Sequence, residues 1–266
     1  MDNTGDSYPV LLMSPGFGVE RDMYLKIIER LVNQRYCVVT IGAPYESIFT
    51  VYPDGQFIRQ RSEYSSLAGN DYIGWQKLLD DRSQAITKVL EHLDTFNRTD
   101  SSFKGLLNFN NIAAIGHSLG GAAVFEVLKK ISNIRAAVLL DPSLHLIKTD
   151  GIEITTPSLR QEASTYEAMV AGMNKQIASD YIQGQRYVAE VIKNLQIYRV
   201  SGAHHMSFSD VPVHYGDVQA IPIYDAIGNC ITHFLDEAFN NNQSDLQYSS
   251  VDGVIAISGE GHTITR

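Results

Sequence analysis

"IAAIGHSLGGAAVFE", residues 112–126, opens as an unbroken apolar run and closes in small, helix-compatible residues. The run reads as a short strand covered on both faces, because a strand with one face in water alternates apolar and polar residues. Gly116-His117-Ser118-Leu119-Gly120 marks the break. The pattern G-x-S-x-G is weak alone: at average residue frequencies about 0.1 matches are expected by chance in a chain of this length. Its position makes it informative. A serine on a sharp turn between a strand and a helix has its hydroxyl lifted clear of the sheet, and a side chain at Gly116 or Gly120 would crowd that turn. Gly121, Ala122 and Ala123 let the helix pack close to the strand. The first N–H groups of that helix point toward charge developing on a nearby oxygen. A structural Gly-Ser turn is the bland alternative. The strand-turn-helix setting favours Ser118 as a nucleophile.

Outward from this turn, β-prone runs alternate with helical periodicity. That alternation predicts an α/β fold with a mostly parallel central sheet flanked by helices. Strands are expected at 10–14, 37–43, 111–116, 136–141, 157–163 and 195–202. Apolar residues at helical spacing predict a helix at 21–34 (Met23, Ile27 and Leu31, beside Tyr24 and Ile28) and a longer one at 74–96 (Trp75, Leu78, Leu79, Ile86, Val89, Leu90, Leu93). Two more are expected at 119–131 and 221–239, the last with Pro222 in its first turn. Two insertions stand out. Residues 44–70 hold Pro53-Asp54-Gly55, a hairpin turn, together with Tyr45, Phe49, Tyr52, Phe57 and Tyr64. Residues 164–193 read as one or two helices before the last strand. Long insertions often form binding loops, so both are expected to line a pocket. Residues 240–266 form a polar tail in which 253–258, "GVIAIS", is a candidate extra strand. No repeat or linker divides the chain, so residues 1–266 are expected to form one domain.

The 266 residues suffice for a large core, and 44% hydrophobic with 19% charged residues is a globular composition. No apolar run approaches the roughly 20 residues of a membrane span. A net charge of −9 without a Lys/Arg cluster argues against nucleic-acid partners and against adhesion to anionic membranes. The start, "MDNTGDSYPV", has neither a basic segment nor an apolar core, so no signal peptide is expected there. A soluble protein is expected, in a compartment and oligomeric state left open. Cys37 and Cys230 lack metal-ligand spacing and read as two buried free thiols. Asn97 and Asn242 head glycosylation-type triplets that matter only in a secreted protein.

A serine needs a base, and the base needs an acid that fixes its tautomer. In the chain order serine, acid, histidine, the base follows the last strand. Of the eight histidines, His204 and His205 stand there, and spacing hardly separates them. His214, His233 and His262 fit less well, and His117 sits in the turn itself with its side chain expected to face away from the serine. Asp141 and Glu162 both end strands in the right interval. Asp141 is favoured, because an Asp-Pro step after an apolar strand puts the carboxylate at the edge of the sheet where ligands bind. The backbone N–H of Leu119, next after the serine, is the expected first oxyanion donor. The loop after the first strand, Pro15-Gly16-Phe17-Gly18, supplies the second through Phe17 N–H.

Taken together, these segments resemble the α/β-hydrolases, and within them the platelet-activating-factor acetylhydrolase-like esterases of the plasma type, with bacterial lipases and polyester hydrolases further off. "LLMSPGFG" resembles the family's oxyanion segment, with Pro15-Gly16 where the family usually has His-Gly. "NIAAIGHSLGGAAVFE" resembles its nucleophile strand and elbow, and "AAVLLDP" the strand ending in its triad acid. "HHMSFSD" resembles its H-x-x-F-x-D segment, which selects His205, with Phe208 and Asp210 in register. The resemblance spans about residues 9–240. The early antiparallel strands of larger members are expected to have no counterpart. It implies hydrolysis of a carboxylic ester by Ser118, His205 and Asp141, with no metal or cofactor and a small-molecule ester with an apolar part as partner. Acyl transfer, cyclisation, or amide or thioester cleavage by the same residues is the alternative. A ligand-binding protein without catalysis is a third reading, which the intact serine, aspartate and histidine disfavour.

Overall fold

The central strands carry unbroken apolar runs, residues 112–115 and 136–140, because both sides of the sheet are covered there. The computed structural model describes residues 7–163, 173–240 and 253–257. Seven strands form one sheet: β1 (Tyr8–Ser14), β2 (Cys37–Thr40), β5 (Leu107–His117), β6 (Ala136–Leu140), β7 (Ser158–Glu162), β8 (Leu195–Val200) and β9 (Val254–Ala256). Their order is β2-β1-β5-β6-β7-β8-β9. All neighbours run parallel except β9, which is antiparallel to β8 at the edge. β9 falls within the candidate extra strand; residues 241–252 and 258–266 of the tail, with Asn242 and His262, lie outside the described residues.

Alternate residues of a strand face opposite ways. Val10, Leu12, Ile112, Ala114, Ala137 and Leu139 pack beneath α3 (Tyr72–Thr99), α4 (Leu119–Leu128) and α5 (Lys175–Val191). Leu11, Met13, Ala113, Ile115, Ala136 and Val138 face α1 (Leu25–Asn33) and α7 (Ala220–Asn240), which follows the single turn α6 (Val211–His214). The result is three layers with β5 inside the sheet between β1 and β6, and the residues that follow the parallel strands β1, β5, β6, β7 and β8 all emerge at one edge. Ser118 stands at the middle of that edge.

Element ends differ from the sequence expectation for local reasons. β2 stops at Thr40 because its one partner, β1, ends at Ser14; Ile41 makes the last bond, its N–H 2.8 Å from Met13 O. α1 starts only at Leu25, since Tyr24 is non-helical with φ −133°. α3 starts earlier, at Tyr72, where Asp71 caps it by accepting from Gly74 N–H at 3.1 Å. α4 ends at Leu128, short of residue 131. Cys37, expected buried, is half-buried on the edge strand, whereas Cys230 is buried; both are free thiols. Asn97 lies near the end of α3, its Oδ1 accepting from Leu107 N–H and its Nδ2 donating to Leu107 O, both at 3.0 Å, so the nitrogen that a glycan would take is already engaged.

In the insertion at 44–70, β3 (Phe49–Val51) and β4 (Phe57–Arg59) form the hairpin, followed by the single turn α2 (Ser62–Ser65). Its burial pattern is inverted. Thr50 is fully buried, its hydroxyl donating to Glu20 Oε2 at 2.7 Å, while Phe49, Val51 and Phe57 are exposed by 36%, 49% and 55%. The Phe49 and Phe57 rings stack on one another at 6.2 Å on the outer face. The hairpin aromatics thus turn to solvent. Residues 164–172 of the second insertion lie outside the described residues, and the remainder forms α5 with Asn174 as its cap.

Candidate active site

Glycine is required at the turn for a steric reason. A Cβ on Gly116 would come within 2.2 Å of Gly120 O, and one on Gly120 within 2.3 Å of Ser14 O. Ser118 between them has φ 54° and ψ −119°, a conformation side chains rarely adopt. Its N–H donates to Leu140 O at 2.9 Å, and its own carbonyl accepts from Ser143 N–H at 3.0 Å and Ala122 N–H at 3.1 Å. These bonds hold a backbone strained by about 1–3 kcal/mol.

Asp141, one step beyond β6, also has positive φ, 41°. Its N–H reaches Gln161 O at 2.8 Å, and its Oδ1 accepts from Ala163 N–H at 3.1 Å. Oδ2 lies 2.6 Å from His205 Nδ1, and His205 Nε2 lies 3.0 Å from Ser118 Oγ. With the Nδ1 hydrogen donated to Asp141, the Nε2 lone pair faces the serine hydroxyl. Burial alone would raise the Asp141 carboxyl, but the His205 hydrogen bond and charge, with Ala163 N–H, outweigh it and hold the group below its ordinary value.

The segment after β8 explains why His205 and not His204 lies beside Ser118. Residues His205–Phe208 form a 3₁₀ turn. His204 caps it: its backbone carbonyl accepts from Ser207 N–H at 2.8 Å and its own N–H donates to Ser207 Oγ at 3.0 Å. Phe208 is fully buried in the α1/α7 layer. Asp210 ties the loop to the start of α1 by accepting from Lys26 N–H at 3.1 Å and donating its own N–H to Met23 O at 2.6 Å. Glu162, the other acid candidate, is turned away. It is buried, 2.9 Å from Arg160 Nη2, and accepts from Gln185 Nε2 at 2.9 Å.

The loop after β1 sits beside Ser118. Phe17 N–H has no protein acceptor among the described residues, and Leu119 N–H opens α4, where no preceding turn offers one. A pocket of about 280 Å³ opens over Ser118, with Phe17, Trp75, Leu146, Ile177 and Met206 among its apolar walls. Phe17 and Trp75 meet edge to face at 4.7 Å. From the insertions, Gly69 and Ile177 reach it; none of the five aromatics of 44–70 does. Among the described residues no three His, Cys, Asp or Glu side chains converge as a metal site, and no described helix is long and apolar enough to cross a membrane.

Three groups at the site escape a reading by motif. Ser143 Oγ lies 3.3 Å from Ser118 Oγ. Tyr24, buried under the loop, bonds Gly16 N–H and His117. Arg82 is 3% exposed and pins the loop from the other side. Its Nη1 donates to Pro15 O at 2.9 Å and Ser14 Oγ at 3.1 Å, while Nε and Nη2 hold the Glu46 carboxylate at 2.9 and 2.6 Å. The sequence does carry a trace of Arg82, a charge spaced four residues from both Leu78 and Ile86 on the apolar stripe. Arg82→Met leaves Glu46 buried and unpaired, so urea unfolding should show a loss of about 3–5 kcal/mol, with partial recovery in Arg82→Met/Glu46→Gln.

Two histidines at the pocket are held neutral. Burial, helped by the charge of His205, pushes His117 down to about 3, and burial pushes His145 down to about 4. Both folded values lie below the ordinary 6.5, so below that pH the unfolded chain takes up protons that the folded chain refuses. Their stabilising contribution is complete above 6.5 and is lost as pH falls toward the folded values. His145→Phe should therefore flatten the fall in unfolding free energy across this window, by up to about 1.4 kcal/mol per pH unit. An unchanged slope would contradict the burial of a neutral ring.

A model of the family described as platelet-activating factor acetylhydrolase, isoform II, matches residues 2–222. The chain is 23% identical over 245 residues to the platelet-activating factor acetylhydrolase of Gallus gallus, a match covering 80% of this chain and 55% of that protein. It is 26% identical over 173 residues to that of Cavia porcellus, covering 55% of this chain and 38% of that one. It therefore spans about half the length, or less, of the relatives it matches. A ferulic acid esterase from Streptomyces cinnamoneus superposes with TM-score 0.74 at 20% identity, covering 95% of this chain and 74% of that one. At that identity the likeness is one of fold, the α/β-hydrolase arrangement of a mostly parallel sheet between helices. With more than four-fifths of its residues matched by the family model, the chain belongs to the platelet-activating factor acetylhydrolase isoform II family.

Proposed function

We propose that the protein is a serine hydrolase that cleaves a carboxylic ester through an acyl-enzyme on Ser118. The observation that carries this reading is the hydrogen-bonded series Ser118–His205–Asp141, with contacts of 3.0 and 2.6 Å, under a pocket. Ser118 Oγ attacks the ester carbonyl as His205 Nε2 takes its proton. Asp141 orients the ring and stabilises the imidazolium that forms. Phe17 and Leu119 N–H groups receive the oxyanion, where charge develops. His205 then gives its proton to the departing alkoxide, leaving the acyl group on Ser118. Water, deprotonated by the same nitrogen, releases the acid and restores the serine.

The pocket is small for a ligand site, which typically measures about 300–1,000 Å³, and its walls are mainly apolar. A short acyl group fits that description, and the matched relatives are named acetylhydrolases. With p-nitrophenyl esters of graded acyl length, kcat/KM should peak at short chains and fall as the acyl group outgrows the pocket. Absence of turnover across the series, or a peak at long chains, would contradict the reading.

A further inference from the structure

His117, the residue before Ser118, is 1% exposed, and both of its ring nitrogens are engaged. Nε2 lies 2.9 Å from the backbone carbonyl of His205. A carbonyl only accepts, so Nε2 carries the hydrogen. Nδ1 lies 2.9 Å from Tyr24 Oη. A neutral ring has its lone pair on Nδ1, so the Tyr24 hydroxyl donates to it. Tyr24 is fully buried, and burial keeps its phenol protonated. Its oxygen then accepts from Gly16 N–H at 2.8 Å. Each donor and acceptor in this series has one available role, and the three bonds run in a single direction.

The ends of the series matter. Gly16 adjoins Phe17, whose N–H is the proposed oxyanion donor. His205 is the proposed base, held here by its backbone and not by its ring. Between them His117 is bonded in the chain to Ser118. The His117 and His205 rings also lie 4.8 Å apart, and a Cβ on Gly16 would touch His117 Nδ1 at 3.0 Å, so the parts are packed as well as bonded. We infer that Tyr24 and His117 are positioning residues, a buried hydrogen-bond relay that sets the oxyanion loop, the nucleophile turn and the base at fixed spacing. The inference rests on the proposed hydrolysis. Neither residue transfers a proton to or from the substrate. Reversing the His117 tautomer would set two lone pairs against each other at the His205 carbonyl, so the relay has one stable state.

Fixed spacing of this kind shows in kcat rather than in ground-state binding, because a shift of about 1 Å in a reacting group can cost on the order of 10²-fold in rate. The test compares Tyr24→Phe, His117→Phe, the double variant and His117→Gln on p-nitrophenyl acetate. Each is also checked by thermal unfolding and by fluorophosphonate labelling of Ser118. Tyr24→Phe should lower kcat about tenfold or more, with KM within about twofold of native. His117→Phe should lower it further, and the double variant should fall no lower than His117→Phe, since both break one relay. His117→Gln, whose amide can donate to the His205 carbonyl and accept from Tyr24, should recover most of the loss. The relay is refuted if Tyr24→Phe keeps native kcat, if the two single losses multiply, or if KM alone changes. Failure of the underlying reading looks different: the native protein itself would then neither label at Ser118 nor hydrolyse the ester. Tyr24→Phe removes one oxygen and keeps the ring, and a folded, labelled but slow Tyr24→Phe variant separates positioning from unfolding.

Discussion

Ser118→Ala lowers kcat toward a short p-nitrophenyl ester by on the order of 10⁴-fold or more, with substrate binding little changed. The effect is large because no neighbouring group can substitute for the serine. Ser143 Oγ is 3.3 Å from Ser118 Oγ, but its hydroxyl lacks the contact to His205 that Ser118 makes at 3.0 Å. Without that base a hydroxyl is a poor nucleophile at neutral pH. The residual rate belongs to the oxyanion donors and the pocket, which alanine leaves in place. A variant that stays folded and retains native turnover would move the reaction to another residue.

Asp141→Asn lowers kcat by about 10³–10⁴-fold while leaving the fold intact, and Glu162→Gln changes it by less than about threefold. Asp141 accepts from both Ala163 N–H and His205 Nδ1–H. An asparagine has one oxygen for two donors. If that oxygen keeps Ala163, the amide N–H₂ faces Nδ1 and forces the hydrogen onto Nε2, where the serine needs a lone pair. Glu162 turns its Oε1 to both Arg160 and Gln185 beneath α5, so its amide variant should show its cost in urea unfolding rather than in turnover. Kinetics of the two purified variants decide between them. A large loss in Glu162→Gln alone would reassign the acid.

What the sequence reveals follows from what covers each segment. Strands buried on both faces show as apolar runs, so β1, the second half of β5 and β6 were legible, and with them the place of Ser118 and Asp141 at strand ends. The choice between His204 and His205 was not, because both follow β8. It depends on a 3₁₀ turn in which His204 becomes the cap, and only the H-x-x-F-x-D resemblance pointed to the second. The outward Phe49 and Phe57 were illegible for a related reason. Alternation says that two faces differ but not which one looks inward, and here a Thr50–Glu20 hydrogen bond takes the inner side. Tyr24 reads as an ordinary apolar member of a helix face, though its hydroxyl serves the loop. Arg82 reads as a charge on α3 until Glu46, 36 residues earlier, is brought beside it.

The most direct measurement is labelling of the native protein with a fluorophosphonate, followed by peptide mass analysis. One label per chain on the peptide holding Ser118, with ester turnover lost in proportion, is the predicted result. Full esterase activity with Ser118 unlabelled, or a label confined to another residue, would contradict it.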